Sequence, residues 1–181
     1  YFLSRSTRLE TAISASYSNS FNDVDTLRGD AYTPFYSDNY NETRLVFSSK
    51  VISKINSRNT LQVGTIVEHF FFNFYDEEHR LGAEEVIHDT DIQDNTGLYQ
   101  GFVQLKHSIS DNLFINAGLH GQVFALNGSA MVEPRLGVRC NLNSQHALSL
   151  GYGLHGQTHP KFIYFVRTNH PNSPNDYTLT N

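Results

Sequence analysis

The chain has 181 residues and a formal net charge of −5; 39% of it is hydrophobic and 13% aromatic, all Phe and Tyr. That aromatic content excludes a disordered segment, and the negative balance offers no basic field for DNA or RNA. No stretch approaches the roughly 18 uninterrupted apolar residues of a membrane helix, and the single cysteine, Cys140, excludes an internal disulfide and a thiol-paired zinc or redox motif.

Period-two alternation runs along the chain and predicts seven strands. In 8–17, Leu9, Thr11, Ile13, Ala15 and Tyr17 share one parity, against Glu10, Ser14 and Ser16. In 43–52, Leu45, Phe47 and Val51 oppose Arg44, Ser48 and Lys50. In 60–72, Leu61, Val63, Val67 and Phe71 oppose Gln62, Gly64 and Glu68. In 97–107, Tyr99, Val103 and Leu105 oppose Gln100, Gln104 and Lys106. In 113–125, Leu113, Ile115, Ala117, Leu119 and Val123 oppose Asn116, Gly118, His120 and Gln122. In 131–142, Val132, Leu136, Val138, Cys140 and Leu142 oppose Glu133, Arg135, Gly137, Arg139 and Asn141. In 146–157, Leu148, Leu150, Tyr152 and Leu154 oppose Ser149, Gly151, Gly153 and His155.

The connections are unequal. Residues 53–59, 108–112 and 141–145 read as tight polar turns, rich in Ser, Asn and Asp. Residues 18–41 and 73–96 read as long loops, 127–130 as a compact turn, and the chain from 158 onward as an unfinished tail. This is an all-β, antiparallel up-and-down meander with two unlike ends, in one domain spanning 1–181. The chain opens at Tyr1 with neither an initiator Met nor the apolar core of a signal peptide, so a piece of a longer protein is expected.

Alternation alone leaves open whether the apolar face meets a core or lipid. Strands of about 10–13 residues rise about 33–43 Å, enough for the ~9–11 residues of a tilted membrane crossing. All the strand charges fall on the polar parity: Glu10, Arg44, Lys50, Glu68, Lys106, Glu133, Arg135 and Arg139. A charge facing lipid at mid-bilayer costs roughly 2–4 kcal/mol, so a membrane barrel requires this segregation, although a soluble sheet with one wet face also permits it.

The run Asn127-Gly128-Ser129-Ala130-Met131-Val132-Glu133-Pro134-Arg135-Leu136-Gly137-Val138-Arg139 resembles the barrel of TonB-dependent outer-membrane receptors. So does the hairpin that follows, ending in Leu150-Gly151-Tyr152-Gly153-Leu154-His155, and Asn59-Thr60-Leu61-Gln62-Val63-Gly64 is similar to another of the family's strands. The resemblance implies a segment of a 22-stranded transmembrane β-barrel that imports a nutrient across the outer membrane of a Gram-negative cell. It also implies three partners: outer-membrane lipid, a plug domain of the same parent chain, and the TonB complex, reached through an N-terminal part. This sequence contains neither plug domain nor TonB box, and seven strands leave two open edges, so a partial barrel is expected.

Other constellations point to no chemistry. His155 and His159 are four apart, about 13 Å along a strand. His79 and His88 lie among Asp76, Glu77, Glu78, Glu84, Glu85, Asp89, Asp91 and Asp94, a run without the register of a calcium loop that reads as a solvated external loop. Glu84 and Glu85 are adjacent and point apart in an extended loop. Cys140 falls on the apolar parity and reads as a small hydrophobe. The run from Phe70 to Tyr75 reads as an interfacial aromatic girdle, and Phe162-Ile163-Tyr164-Phe165 as a further strand or a loop cover. No nucleophile motif, Walker loop or dinucleotide fingerprint occurs, so neither enzymatic activity nor a cofactor or metal is expected.

The sharpest candidate site is an internal echo. Gly118-Leu119-His120-Gly121-Gln122 and Gly153-Leu154-His155-Gly156-Gln157 are the same five residues on two strands that flank the Glu133–Arg139 strand. Counting from the turns sets Gln122 and His120 opposite Glu133 and Arg135, and Arg135 and Glu133 opposite Gly153 and His155. His120, Gln122, Glu133, Arg135, Arg139, His155 and Gln157 share the polar parity and are expected to form one lumen-facing patch for plug docking or cargo contact. Two other function classes remain open at this point: a soluble or small β-barrel that binds a ligand in an apolar cavity, and a non-transporting structural or adhesin barrel.

Overall fold

The computed structural model describes residues 1–79, 86–165, 167–170 and 173–178. Seven strands form one sheet in chain order: β1 (Thr7–Arg28), β2 (Ala31–Lys54), β3 (Asn59–His79), β4 (Val86–Ser108), β5 (Leu113–Phe124), β6 (Ser129–Asn141) and β7 (Ala147–Gly153). A turn of 3-10 helix (Lys161–Phe165) and a separate hairpin, β8 (Arg167–His170) with β9 (Ser173–Thr178), follow. The chain is all-β, with antiparallel up-and-down order. It divides into two compact units, residues 1–13, 46–68 and 97–181 in the first and 14–45 and 69–96 in the second.

In the first unit, short turns follow from local side-chain acceptors. Asn56 Oδ1 accepts the N–H groups of Arg58 and Asn59, and Asn143 Oδ1 those of Gln145 and His146, all at 2.8–2.9 Å. Ser108 N–H donates to Arg58 O and Asn141 N–H to Asn112 O, both at 2.8 Å, so these turns lie side by side at one end of the strands. The expected placement of 108–112 and 141–145 is therefore correct. At the other end, the β5–β6 turn closes on Gly128, whose φ of 71° suits a residue without Cβ.

Cross-strand partners carry each face across the sheet. Val103, Leu119 and Pro134 form one row, and Leu105, Ala117, Leu136 and Tyr152 the next. Val138 opposite Leu150 and Cys140 opposite Leu148 continue the same face. On the other face Gly64 lies against the Phe102 ring and the Lys50 Cβ, so Phe47, Val63 and Val103 share the apolar side. Leu45 has the parity of Phe47 on β2. Val63, Leu105, Leu119, Leu136 and Leu150 occupy one face of the first unit, as expected, and are solvent-accessible in this chain, as is Leu45 in the second unit. Thr65 belongs to that face too, and its hydroxyl is satisfied by donating to Gln100 O at 2.8 Å.

The second unit corrects the reading of 18–41, 73–79 and 86–96 as loops, while 80–85 lie outside the described residues. β1 and β2 continue through 14–28 and 31–45 to a tight turn at Gly29, φ 64°, and β3 and β4 extend likewise. Periodicity misses these extensions because polar residues fall on both parities of 14–28 and 31–45, and the run from Phe70 to Tyr75 breaks the alternation in β3. Cross-strand side-chain bonds hold them instead: Tyr17 to Asn41 at 2.8 Å, Asn19 to Asn39 at 3.0 Å, Asn22 to Asp38 at 2.9 Å and Thr26 with Thr33 at 3.0 Å.

The acidic run is likewise strand at both ends, with Asp76–His79 closing β3 and Asp91 and Asp94 on β4. His79 Nε2 lies 2.7 Å from Glu77 Oε1. Glu84 and Glu85 lie outside the described residues.

The aromatic run from Phe70 does not form a girdle as a block. Phe71 is exposed on one face, while Phe70 and Phe72 are buried on the other. Arg44 lies over the Phe70 ring at 5.6 Å, and Tyr40 packs against Phe74 at 6.5 Å. Burial first, then the Asp76 carboxylate, pushes the Tyr36 phenol up to about 12.

Candidate functional site

The β5–β6 hairpin sets the site. Its four-residue turn pairs Phe124 with Ser129, which brings His120 opposite Glu133, Gly118 opposite Arg135 and Gln122 opposite Met131. The counted register was two residues off, because the turn occupies 125–128 rather than centring on Asn127 alone. On β6–β7 the expected pairing of Arg135 with Gly153 is correct. β6 is thus flanked by both copies of the echo: Arg135 lies between Gly118 and Gly153, and Glu133 has His120 on one side and His155 on the other.

Glu133 is the most buried side chain described, at 2% exposure. Its Oε2 accepts from Arg135 at 2.6 Å and lies 3.0 Å from His120 Nδ1 and 4.0 Å from His155 Nδ1. Its Oε1 accepts the Gly156 N–H at 2.7 Å. Donors converge on both oxygens, so the buried charge is compensated rather than stranded.

A chain of polar groups extends from it across the sheet. His120 Nε2 lies 3.0 Å from Gln100 Oε1, and Gln100 Nε2 donates to Glu68 Oε1 at 2.7 Å. Glu68, Gln100, His120 and Glu133 thus connect four neighbouring strands, β3 to β6, on one face. Gln100 and Glu68 were not expected in the site, although their parity was right. Counting from the tight 108–112 turn reaches Gln100, which pairs with Gln122 beside His120, whereas Glu68 lies across the long 73–96 connection, so only the sheet register brings it into line. Lys50, Gln62, Gln104, Asn116 and Arg135 border the same region, a concavity of about 670 Å³.

Two expected members are elsewhere. Arg139 is on the right face, but six residues from Glu133, about 20 Å along an extended strand. It donates to Asn141 at 3.2 Å beside the β6–β7 turn. Gln157 is exposed, because β7 ends at Gly153 and not at 157. Gln122 stays close: a Cβ built on Gly156 would lie 3.2 Å from its Nε2.

The segment after β7 is the feature that sequence reasoning left undecided. Leu154 N–H still donates to Pro134 O at 3.2 Å, then the backbone turns so that Gly156 reaches Glu133. Phe162–Phe165 are not a further strand; they belong to the 3-10 turn, and buried Tyr164 packs on buried Phe124 with ring centres 5.4 Å apart.

Chemically, the arrangement fixes a carboxylate within a set of amide, imidazole and guanidinium groups. Among the described residues no group of three or more His, Cys, Asp or Glu side chains is arranged to hold a metal ion. A scan against protein-family models matches no family, and a search of curated proteins gives no match to this chain.

Proposed function

We propose that this chain is part of the barrel of a TonB-dependent receptor in a Gram-negative outer membrane. It forms a stretch of the wall of a 22-stranded importer for a nutrient such as a metal chelate, vitamin, oligosaccharide or peptide. The observation that carries this reading is the inverted burial of the first unit. Leu119, Leu136 and Leu150 are 51%, 49% and 70% exposed, while Glu133 on the opposite face is 2% exposed. A water-soluble sheet buries the leucines, and leaving such a surface wet is opposed by about 25 cal/mol per Å². Lipid removes that penalty.

Dimensions agree with a lipid contact. From Ile115 to Val123 the apolar row of β5 runs about 27 Å along the strand, or about 21 Å across a bilayer at a ~40° tilt, close to the ~25 Å band of outer-membrane barrels. The exposed leucines also count against the soluble alternative, in which they line a closed cavity. The cluster around Glu133 then faces the lumen, where it docks the plug domain, and the TonB complex acts through the N-terminal part of the parent protein. In this reading the chain has no enzymatic role.

The test is cargo uptake by the parent protein in cells with and without a working TonB complex. TonB-dependent uptake is expected. Membrane assembly without it identifies a non-transporting structural or adhesin barrel, and folding in water without detergent identifies a soluble β-barrel.

A further inference from the structure

The two copies of Gly-Leu-His-Gly-Gln adopt different structures. In the first, Gly121 is a regular strand residue opposite Val132. In the second, Gly156 has left the sheet and presents its N–H to the carboxylate of Glu133. A Cβ built on Gly156 would lie 2.2 Å from Met131 Sδ and 2.9 Å from its Cε, so the missing side chain is what lets this backbone come so close.

The second attachment lies beyond. Tyr164 is buried against Phe124, and its hydroxyl oxygen accepts the His159 N–H at 3.3 Å. Between the two anchors Gln157, His159 and Pro160 are exposed. Gly156 and Tyr164 are thus two attachments of the segment, with exposed residues between them.

We propose that residues 154–165 form a releasable strap that controls access to the polar cluster around Glu133. Its inner anchor is one backbone hydrogen bond to a carboxylate whose other oxygen is held independently by Arg135 and His120. Release of Gly156 leaves that second set of bonds in place, so the strap lifts without dismantling the cluster. Any surface that brings its own donor to Oε1 of Glu133 competes with the strap. Occupancy of the polar face and strap opening are then two sides of one equilibrium. The inference concerns this chain's own contacts and stands apart from the transport reading.

The experiment is hydrogen exchange on the full chain in detergent, combined with alkylation of a reporter cysteine. Gly156→Pro removes the inner donor and adds a Cβ that collides with Met131, and Tyr164→Ala removes the outer anchor without adding an atom. Each is expected to speed exchange over 154–165 at least tenfold while leaving the β5–β6 hairpin as protected as in wild type. A Gln122→Cys reporter, with Cys140→Ser to silence the native thiol, is expected to react with a maleimide at least tenfold faster when Gly156→Pro is added. Unchanged exchange and unchanged alkylation in these variants overturn the strap, as does a wild-type segment that is already unprotected. Loss of hairpin protection in both variants also overturns it, since the segment is then part of the fold rather than a latch on it.

Discussion

His120 Nδ1 lies 3.0 Å from Oε2 of Glu133, and the two residues are direct cross-strand partners on β5 and β6. The contact joins a strand of the echo to the strand that the echo flanks, and it sits where burial is greatest. Removing one side of such a buried pair is costlier than removing a surface charge, because the remaining groups lose their compensation.

Glu133→Ala is therefore expected to destabilise the chain by about 3–5 kcal/mol. The double variant Glu133→Ala, Arg135→Ala is expected to lose less than the sum of the two single variants, since the residues share one hydrogen bond at 2.6 Å. Urea unfolding in detergent of the four members of this cycle measures both effects. In the parent protein the double variant is expected to assemble normally and to take up cargo more slowly. Wild-type uptake in that variant would remove the cluster from function.

The apolar face gives a second prediction. Leu119→Arg or Leu136→Arg places a charge on the exposed row of β5 or β6 and is expected to cost about 2–4 kcal/mol in a bilayer. The same change on a face bathed in water has little effect. Folding into lipid vesicles, followed by urea titration, separates the two.

Tyr36 yields a pH prediction in the second unit. Its phenol is raised from the usual 10 to about 12, by burial first and then by the Asp76 carboxylate. The folded form thus favours the neutral phenol, and the stabilisation it contributes is complete below pH 10 and lost as the pH climbs through about 12. The ultraviolet phenolate titration is expected to show a late component that disappears in Tyr36→Phe. A titration identical in both proteins would contradict the placement of Tyr36 near Asp76.

The β5–β6 turn is the fourth test. Gly128 has φ 71°, and Gly128→Ala is expected to cost about 1–2 kcal/mol through the steric strain of a Cβ in the left-handed region. Gly137→Ala, in the body of β6 where no atom lies closer than 3.8 Å to the added Cβ, is expected to cost less. Thermal melts of the two variants compare them directly.

The sequence by itself determined the strand class, the meander order and the face of each side chain from Leu105 to Leu150. Successive residues of a strand project to opposite sides, so parity alone assigns a face wherever one side is apolar. It also placed Glu133, Arg135, His120 and His155 in one patch, because a shared parity and short turns leave little freedom. Tertiary structure decided the rest. The strand extensions of 14–28, 31–45, 69–79 and 86–96 carry polar residues at both parities, and cross-strand bonds such as Asn19 to Asn39 mark them as sheet. The β5–β6 register depended on a turn of four residues, which composition does not count. Gly121 and Gly156 stand in identical pentapeptides, yet one pairs with Val132 and the other leaves the sheet for Glu133. Their local preferences are the same, so the difference comes from what each meets in space: a full partner strand for the first, and the buried Glu133 carboxylate of β6, just past the end of β7, for the second.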